Sequence, residues 1–219
     1  MFSLALLAPG LIMAADTSKR LANSSEVFQE IMDTADKSIP QKLLDKAECA
    51  IIVPGLKKGA FIVGGKFGRG FVVCRRGAAG WGPPAAVRVE GGSVGFQIGG
   101  AETDVIMLIM NQRGVGRLSQ SKFTLGADAS VAAGPVGRQA TAETDALLTA
   151  EILTWSRSRG VFAGVSLQGA TLRPDKSANT EMYQQTWAIK DIVNSGLEPP
   201  AAGKDLIKLL NKYSSRKTG

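Results

Sequence analysis

Histidine is missing from this chain of 219 residues, and its absence excludes a large part of enzyme chemistry. Without an imidazole there is no Ser-His-Asp triad, no Cys-His pair and no His-ligated metal. Cysteine is nearly missing too, since Cys49 and Cys74 are the two in the chain, and two thiols cannot form a four-cysteine zinc site. Two interpretations of this pair stay open: a disulfide in an exported protein, or two buried reduced thiols.

Aromatic residues are also scarce, at 6% of the chain. They do not alternate with basic residues in the way that is typical of RNA-binding sheets, so no nucleic-acid partner is predicted. Apolar residues make up 44% and charged residues 21%, which predicts one globular domain with a real core.

The hydrophobic run at residues 1–15 is too short to span a bilayer, and Pro9-Gly10 interrupts it. It ends in Met13-Ala14-Ala15 before Asp16, a small-residue pattern typical of a signal-peptide cleavage site. The sequence therefore predicts a signal peptide at 1–15, a single domain at 16–219, and a periplasmic or secreted protein.

Positive charge and glycine are concentrated between residues 49 and 100. This stretch contains 14 of the 26 glycines, seven basic residues and one acidic residue, Glu90. Its net charge is therefore +6, against +7 for the whole chain. Interior glycines each cost a helix roughly 1 kcal/mol, so the stretch predicts short strands with cations beside their turns. An anionic partner fits this charge.

Hydrophobic periodicity predicts helices at 17–38, 41–48 and 202–213. Between them, short apolar runs separated by turn residues predict strands. These runs are 50–53, 60–63, 71–74, 87–90, 94–98, 105–110, 123–133, 146–155 and 161–167. The expected fold class is α+β, with an antiparallel β-sandwich or barrel-like sheet flanked by N-terminal and C-terminal helices.

Three sequence features resemble catalytic or phosphate-binding patterns, but none of them predicts a complete site. The run 91–95 matches G-x-S-x-G, but Ser93 has no histidine to serve as its base, so a hairpin turn is predicted. Gly64-Gly65-Lys66 has Ala60 and Phe67 where a Walker loop needs Gly and Ser or Thr, so two interpretations stay open: a phosphate cradle, or a plain β-bulge or hairpin. The carboxylate pairs Glu102/Asp104 and Glu143/Asp145 are interpreted as capping or turn acids.

A longer series of motifs resembles the SYLF domain family. The resemblance covers about residues 39–183, and its order and spacing are specific. It rests on Ile39-Pro40-x-x-Leu43-Leu44, Ile52-Val53-Pro54-Gly55-Leu56-Lys57-Lys58-Gly59, Gly64-Gly65-Lys66-Phe67-Gly68-Arg69-Gly70, Gly80-Trp81-Gly82, Gly95-Phe96-Gln97-Ile98-Gly99, 127–137 and 156–165.

The resemblance implies binding of membrane lipids, especially phosphoinositides, and, as in yeast members, of actin filaments; catalysis, cofactors and metals are not implied. With the export signal, it suggests a bacterial member. The main hypothesis is peripheral binding to anionic phospholipid, and the alternative is a protein-interaction module similar to an actin-filament binder. The expected lipid-binding residues are the cations Lys57, Lys58, Lys66, Arg69, Arg75 and Arg76 and the helix face Leu21, Phe28, Ile31 and Met32.

Overall fold

The computed structural model of the chain describes residues 9–34, 38–60, 63–94, 99–137, 149–158, 161–164 and 167–214. In this part of the chain a nine-stranded, largely antiparallel sheet is curled into a half-barrel, with helices before and after it in sequence. The predicted α+β class with a barrel-like sheet is therefore confirmed.

The elements follow one another in a simple order. The first helices are α1, Pro9–Asp33, and α2, Gln41–Lys46. The strands and the helix among them are β1 Cys49–Ala60, β2 Val63–Cys74, β3 Ala85–Val94, β4 Gly99–Ile109, α3 Gln112–Arg117, β5 Phe123–Thr124, β6 Val131–Ala133, β7 Ile152–Ser158, β8 Val161–Gly164 and β9 Thr171–Pro174. The last helices are α4 Lys176–Tyr183, α5 Ile189–Asn194 and α6 Ala201–Tyr213.

The sheet has the strand order β5-β9-β3-β2-β1-β4-β7-β6, and β8 also pairs with β7. All pairs are antiparallel except β6 with β7. Strands β5 and β6 stand at opposite ends of this order, yet they are close in sequence, since β5 ends at Thr124 and β6 begins at Val131. The sheet must therefore curl to bring its two ends within reach of this short connection. Seven Cα steps reach at most about 25 Å, whereas seven strand spacings in a flat sheet need about 34 Å.

Alternating side chains divide the core between the two faces of the sheet. On β1, Cys49, Ile51 and Val53 belong to one buried cluster, and Ala50 and Ile52 belong to the other. We call the first side the inner face; it packs around β5, β9 and α5. The second side is the outer face, which α1, α2 and α6 cover.

Strand β1 does not end at Pro54-Gly55, where the sequence predicted a turn. Its pairing with β2 and β4 shifts register there and then resumes at Leu56 or Lys57. Gly55 has φ +60°, a conformation in which glycine avoids the strain of a side chain. The turn residues therefore form a bulge inside a twelve-residue strand, which keeps Leu56 on the inner face.

The glycines at 91 and 92 are likewise not a hairpin turn. Strand β3 continues through them to Val94, with Gly91 opposite Lys66 and Ser93 opposite Gly64 on β2. Paired glycines on neighbouring strands explain the error, because both strands use residues that the pattern assigns to turns. Gly95, which completes G-x-S-x-G, lies outside the described residues.

Helix α1 runs without a break from Pro9 to Asp33, across the predicted cleavage point between Ala15 and Asp16. It ends before the predicted limit at Ser38, and residues 35–37 lie outside the described part of the chain. The signal peptide stays a prediction. Among the helices that the structure describes, none combines enough length with enough hydrophobicity to cross a bilayer.

The C-terminal helix agrees with its prediction to within one residue, since α6 spans Ala201–Tyr213. Its Leu206 and Leu210 are fully buried on the outer face, as expected for a helix that docks its leucine side. Helices α4 and α5 were not predicted. Helix α4 is fixed by Asn179, whose side chain bonds both the N–H and the carbonyl oxygen of Ala86 on β3.

Candidate functional site

The six cations expected to bind lipid lie along β1 and β2, but they do not form one surface. Lys57, Lys58 and Lys66 lie near the connection between these strands, and Arg75 and Arg76 lie at the far end of β2. At about 3.3 Å per residue, Lys66 and Arg75 are separated by roughly 30 Å. The single basic face that the hypothesis required is therefore absent.

Arg75 is not a surface cation, because it is 7% exposed and bonded to backbone on every side. Its Nε donates to Ala47 O at 2.8 Å, and its Nη2 donates to Leu44 O at 3.0 Å, at the end of α2. Its Nη1 donates to Ser214 O at 3.0 Å, just beyond α6. The guanidinium also stacks on Trp81 at 4.3 Å. Arg75 thus joins α2, α6 and β2, and its guanidinium is not on the surface where the lipid-binding hypothesis expected it.

Cys49 and Cys74 lie beside this arginine, directly opposite each other on β1 and β2. Their sulfur atoms are joined, with an S–S distance of 2.07 Å, and both residues are buried. Cys74 precedes Arg75, so the disulfide fastens the same end of the two strands. We call this region, formed by Cys49, Cys74, Arg75, Trp81 and Ser214, the clamped end.

Arg69 is already engaged by acids from other elements. Its Nε donates to Asp175 Oδ2 at 2.6 Å, and its Nη1 lies 3.7 Å from Asp16 Oδ2. Burial alone favours a raised pKa for Asp175, but hydrogen bonds from Arg69 and Ser177 and the charge of Arg69 outweigh it, and the pKa is lowered. Asp175 also accepts the N–H of Ala178 and so caps α4.

The three lysines lie where β1 and β2 connect, but on two faces. Lys58 and Lys66 are opposite each other in the pairing, on the inner face with Leu56 and Val72, whereas Lys57 and Phe67 are opposite each other on the outer face. Burial, and then the charge of Lys66, lowers the pKa of Lys58. We call Lys57, Lys58, Lys66 and Phe67 the hairpin end.

The helix face that was expected to insert into lipid is used by the domain itself. Leu21, Phe28 and Ile31 of α1 are each 0% exposed. Phe28 and Ile31 pack against the outer face of the sheet and α6, and Met32 is partly buried beside them. The sheet supplies the apolar surface that this amphipathic face covers, so Leu21, Phe28 and Ile31 are packed inside the domain in this structure.

A cleft of about 660 Å³ opens between α1 and the middle parts of β1, β2 and β4. Asp104 holds its centre: it accepts from Arg157 Nη2 at 2.6 Å and from Gly55 N at 2.9 Å. Arg157 also pairs with Glu30 of α1. The cleft is lined by equal numbers of acids and bases, namely Asp16, Glu26, Glu30, Glu102 and Asp104, and Lys19, Arg20, Lys57, Arg69 and Arg157.

The acidic and basic side chains of the cleft therefore balance in charge, and ion pairs among them, such as Arg157 with Glu30, hold α1 against the sheet. Within the described part of the chain, no group of three Cys, Asp or Glu side chains is placed to hold a metal ion.

Three residues that shape the charged surface were not singled out from the sequence. Phe67 is 48% exposed and is the large hydrophobic side chain left exposed among the described residues. Arg157 and Arg173 reach the outer face from β7 and β9, far along the chain from the basic stretch. Because Phe67 and Arg69 are two residues apart on a strand, the sequence predicts that they share a face. The sequence does not show that Phe67 stays exposed on that face.

The fold and these contacts define a class of small α+β domains whose polar side chains hold helices against a curled sheet and leave a charged, partly aromatic surface. Residues 90–213 match the family model Ysc84, described as "Las17-binding protein actin regulator". The chain belongs to this family, Ysc84 (SYLF). The region matched by the family model, 90–213, begins and ends later than the region of the sequence motifs, 39–183.

Curated relatives extend the similarity over most of the chain. SH3 domain-containing YSC84-like protein 1 from Homo sapiens is 32% identical over 202 residues, which are 91% of this chain and 59% of the relative. LAS seventeen-binding protein 3 from Saccharomyces cerevisiae is 34% identical over 179 residues, 80% of this chain and 39% of the relative. The SH3 domain-containing protein PJ696.02 from Schizosaccharomyces pombe is 34% identical over 180 residues, 81% and 42%. The chain thus spans about two fifths to three fifths of these relatives.

Proposed function

We propose that this domain is a non-catalytic protein-binding module whose partner is the actin filament. The observation that carries the proposal is membership of a family described as an actin regulator, together with the yeast relative named for binding Las17. A protein partner was the alternative hypothesis from the sequence, and the family favours it over lipid.

The structure supports a binding role through what it leaves exposed. The cation Lys57 and the aromatic Phe67 are exposed, whereas the helix face expected to enter lipid is buried. A chain of net charge +7 is suited to an acidic protein surface, and association with it is expected to weaken with salt.

The proposal concerns actin and not Las17 itself. The relatives' names attach Las17 binding and an SH3 domain to proteins of which this chain matches 39–59%. The family description applies to residues 90–213, which lie within this chain, and it names actin regulation beside Las17 binding. Actin regulation is therefore the property that we carry to this domain.

Co-sedimentation of the purified chain with actin filaments tests the proposal. We expect saturable sedimentation at 50 mM salt and a marked decrease at 300 mM, because exposed charges are screened over about one Debye length. A parallel spin without filaments controls for self-association. A chain that stays in the supernatant at both salt concentrations would contradict the proposal.

A second candidate, peripheral binding to anionic phospholipid, is favoured by one specific observation. Lys58 and Lys66 are held opposite each other on the inner face, and the charge of Lys66 contributes to the lowered pKa of Lys58. Among the ion pairs found in the described residues, none involves either lysine. Each basic residue near an anionic surface contributes about 1 kcal/mol, so this pair supports weak attachment.

Sedimentation with vesicles tests this candidate. Vesicles of phosphatidylcholine alone are compared with vesicles that contain 30% phosphatidylserine or a phosphoinositide, and Lys58→Gln/Lys66→Gln is compared with the unmodified chain. We expect binding to the anionic vesicles alone, lowered in the double variant. Equal sedimentation with neutral and anionic vesicles would exclude this candidate.

A further inference from the structure

Three arginines from distant parts of the chain form a row across the outer face. Arg69 on β2 is directly opposite Arg88 on β3, and Arg88 is directly opposite Arg173 on β9. Neighbouring strands lie about 4.8 Å apart, so the row is roughly 10 Å long. We call these three residues the arginine row.

The row is costly for the isolated domain. Like charges directly opposite on neighbouring strands are destabilising. The carboxylates closest to the row are two: Asp175 bonds Arg69, and Glu90 lies 3.7 Å from Arg88 Nε and 3.3 Å from Arg173 Nη1. Asp16 bonds Arg20 and lies further from Arg69, at 3.7 Å. Among the described residues, Arg88 and Arg173 thus share one acid, Glu90.

The hydrogen bonding of the row is also incomplete. The Nε–H groups of Arg88 and Arg173 have no hydrogen-bond partner in the structure, although both atoms are shielded from water. Both side chains are still more than one third exposed, so their terminal nitrogens are reachable from outside. An external carboxylate can accept from two nitrogens of one guanidinium at once.

An exposed aromatic side chain adjoins the row. Phe67 lies two residues from Arg69 on the same strand and face, opposite Glu90. Arginine and aromatic residues are enriched in the cores of protein interfaces, where lysine is depleted. This composition favours a protein partner for the outer face, in contrast to the paired lysines of the inner face.

We propose that the arginine row and Phe67 form the docking surface for acidic side chains of the protein partner. The proposal rests on the function proposed above and adds the location and chemistry of the contact. Arg88 and Arg173 bind carboxylates of the partner, and Phe67 packs against an apolar side chain beside them. Arg69 remains paired with Asp175 and holds the row in place.

Filament co-sedimentation of four purified variants and the unmodified chain tests this location. Arg88→Gln/Arg173→Gln and Phe67→Ser are expected to weaken binding by about tenfold or more, as is typical of interface hot spots. Arg88→Lys/Arg173→Lys retains the charge without the fork and is expected to recover part of the loss. Arg76→Gln removes an exposed arginine at the far end of β2 and is expected to leave affinity within about twofold. Thermal melts monitored by circular dichroism establish that each variant folds.

The outcomes separate the two proposals. An unmodified chain that does not sediment with filaments overturns the proposed function and this partner with it. Unmodified binding that both Arg88→Gln/Arg173→Gln and Phe67→Ser leave intact overturns the docking surface alone. Loss of binding to phosphatidylserine vesicles in these variants, with filament binding retained, would assign the row to membranes and overturn it as a protein-docking surface.

Discussion

The two ends of the β1–β2 pair use the same residue types for opposite purposes. At the clamped end Arg75 is buried, and three backbone carbonyls and an indole ring take up its charge. At the hairpin end Lys57 and Phe67 are exposed, and Lys58 and Lys66 face each other. The sequence contains a cation at both ends. Whether that cation holds helices together or stays exposed depends on whether backbone carbonyl oxygens lie within hydrogen-bond distance of it.

Removing the arginine of the clamped end is expected to have the largest effect. Arg75→Ala removes the donor of Ala47 O and one of the two donors of Leu44 O and of Ser214 O, and it opens a cavity beside Trp81. The free energy of unfolding is expected to fall by about 4 kcal/mol, in the range for broken buried polar networks. Chemical denaturation followed by tryptophan fluorescence measures it.

The adjacent Arg76 provides the matched control, because it is exposed and its substitution by alanine is expected to cost less than about 0.5 kcal/mol. Equal losses in the two variants would mean that the contrast between buried and exposed arginines is false.

Reducing the disulfide is expected to have the next largest effect. Cys49 and Cys74 close a loop of 25 residues, which constrains the unfolded chain by about 3 kcal/mol. Urea unfolding with and without a reductant measures this difference. The double variant Cys49→Ala/Cys74→Ala is expected to be insensitive to reductant, and a chain whose midpoint does not move on reduction would show that the two thiols are not joined in solution.

Breaking the pair between Asp175 and Arg69 tests an intermediate case, a half-exposed arginine held by a buried acid. Because the pKa of Asp175 is lowered in the folded chain, the pair stabilises above the unfolded value near 3.9. This contribution is lost as the pH falls through the folded pKa. At pH 7, Asp175→Asn is expected to cost about 2 kcal/mol from the lost charged hydrogen bond with Arg69, since asparagine can still cap α4.

Unfolding measured from pH 7 down to pH 2 checks the sign, because the curves of Asp175→Asn and the unmodified chain are expected to converge in acid. Asp16→Asn is the control, since Asp16 lies further from Arg69 and is largely exposed, and its loss is expected to stay below about 1 kcal/mol. A constant difference across this pH range would argue against the ion pair.

The contrast between the two ends also shows how far the sequence reaches. Periodicity located α6 and the start of the sheet because both patterns are local. The sequence shows the basic stretch, but it does not show which of its cations are buried and which are exposed. The acceptors that bury Arg75 come from α2 and from Ser214, 139 positions later. The arginine row likewise needs Arg173, which β9 brings beside Arg88. Such long-range pairings depend on topology, which no local pattern specifies.

The smallest expected effect concerns the two lysines of the inner face. Lys66→Gln removes a neighbouring charge but not the burial that is the larger cause of the lowered pKa of Lys58, so this pKa is expected to rise only part of the way to its ordinary value. A lowered pKa means that the folded state disfavours the charged ammonium, and stability is therefore regained as the pH rises through the folded pKa. Below it, Lys66→Gln is expected to stabilise the fold by no more than about 0.5 kcal/mol.

A titration of the lysine side chains by heteronuclear NMR separates the two faces. Lys57→Gln is the matched control, because Lys57 adjoins Lys58 in sequence but lies on the outer face. Lys57→Gln is expected to change the pKa of Lys58 less than Lys66→Gln does. A larger shift in Lys57→Gln would place all three lysines on one surface, and the charge of the hairpin end would then act as a single patch.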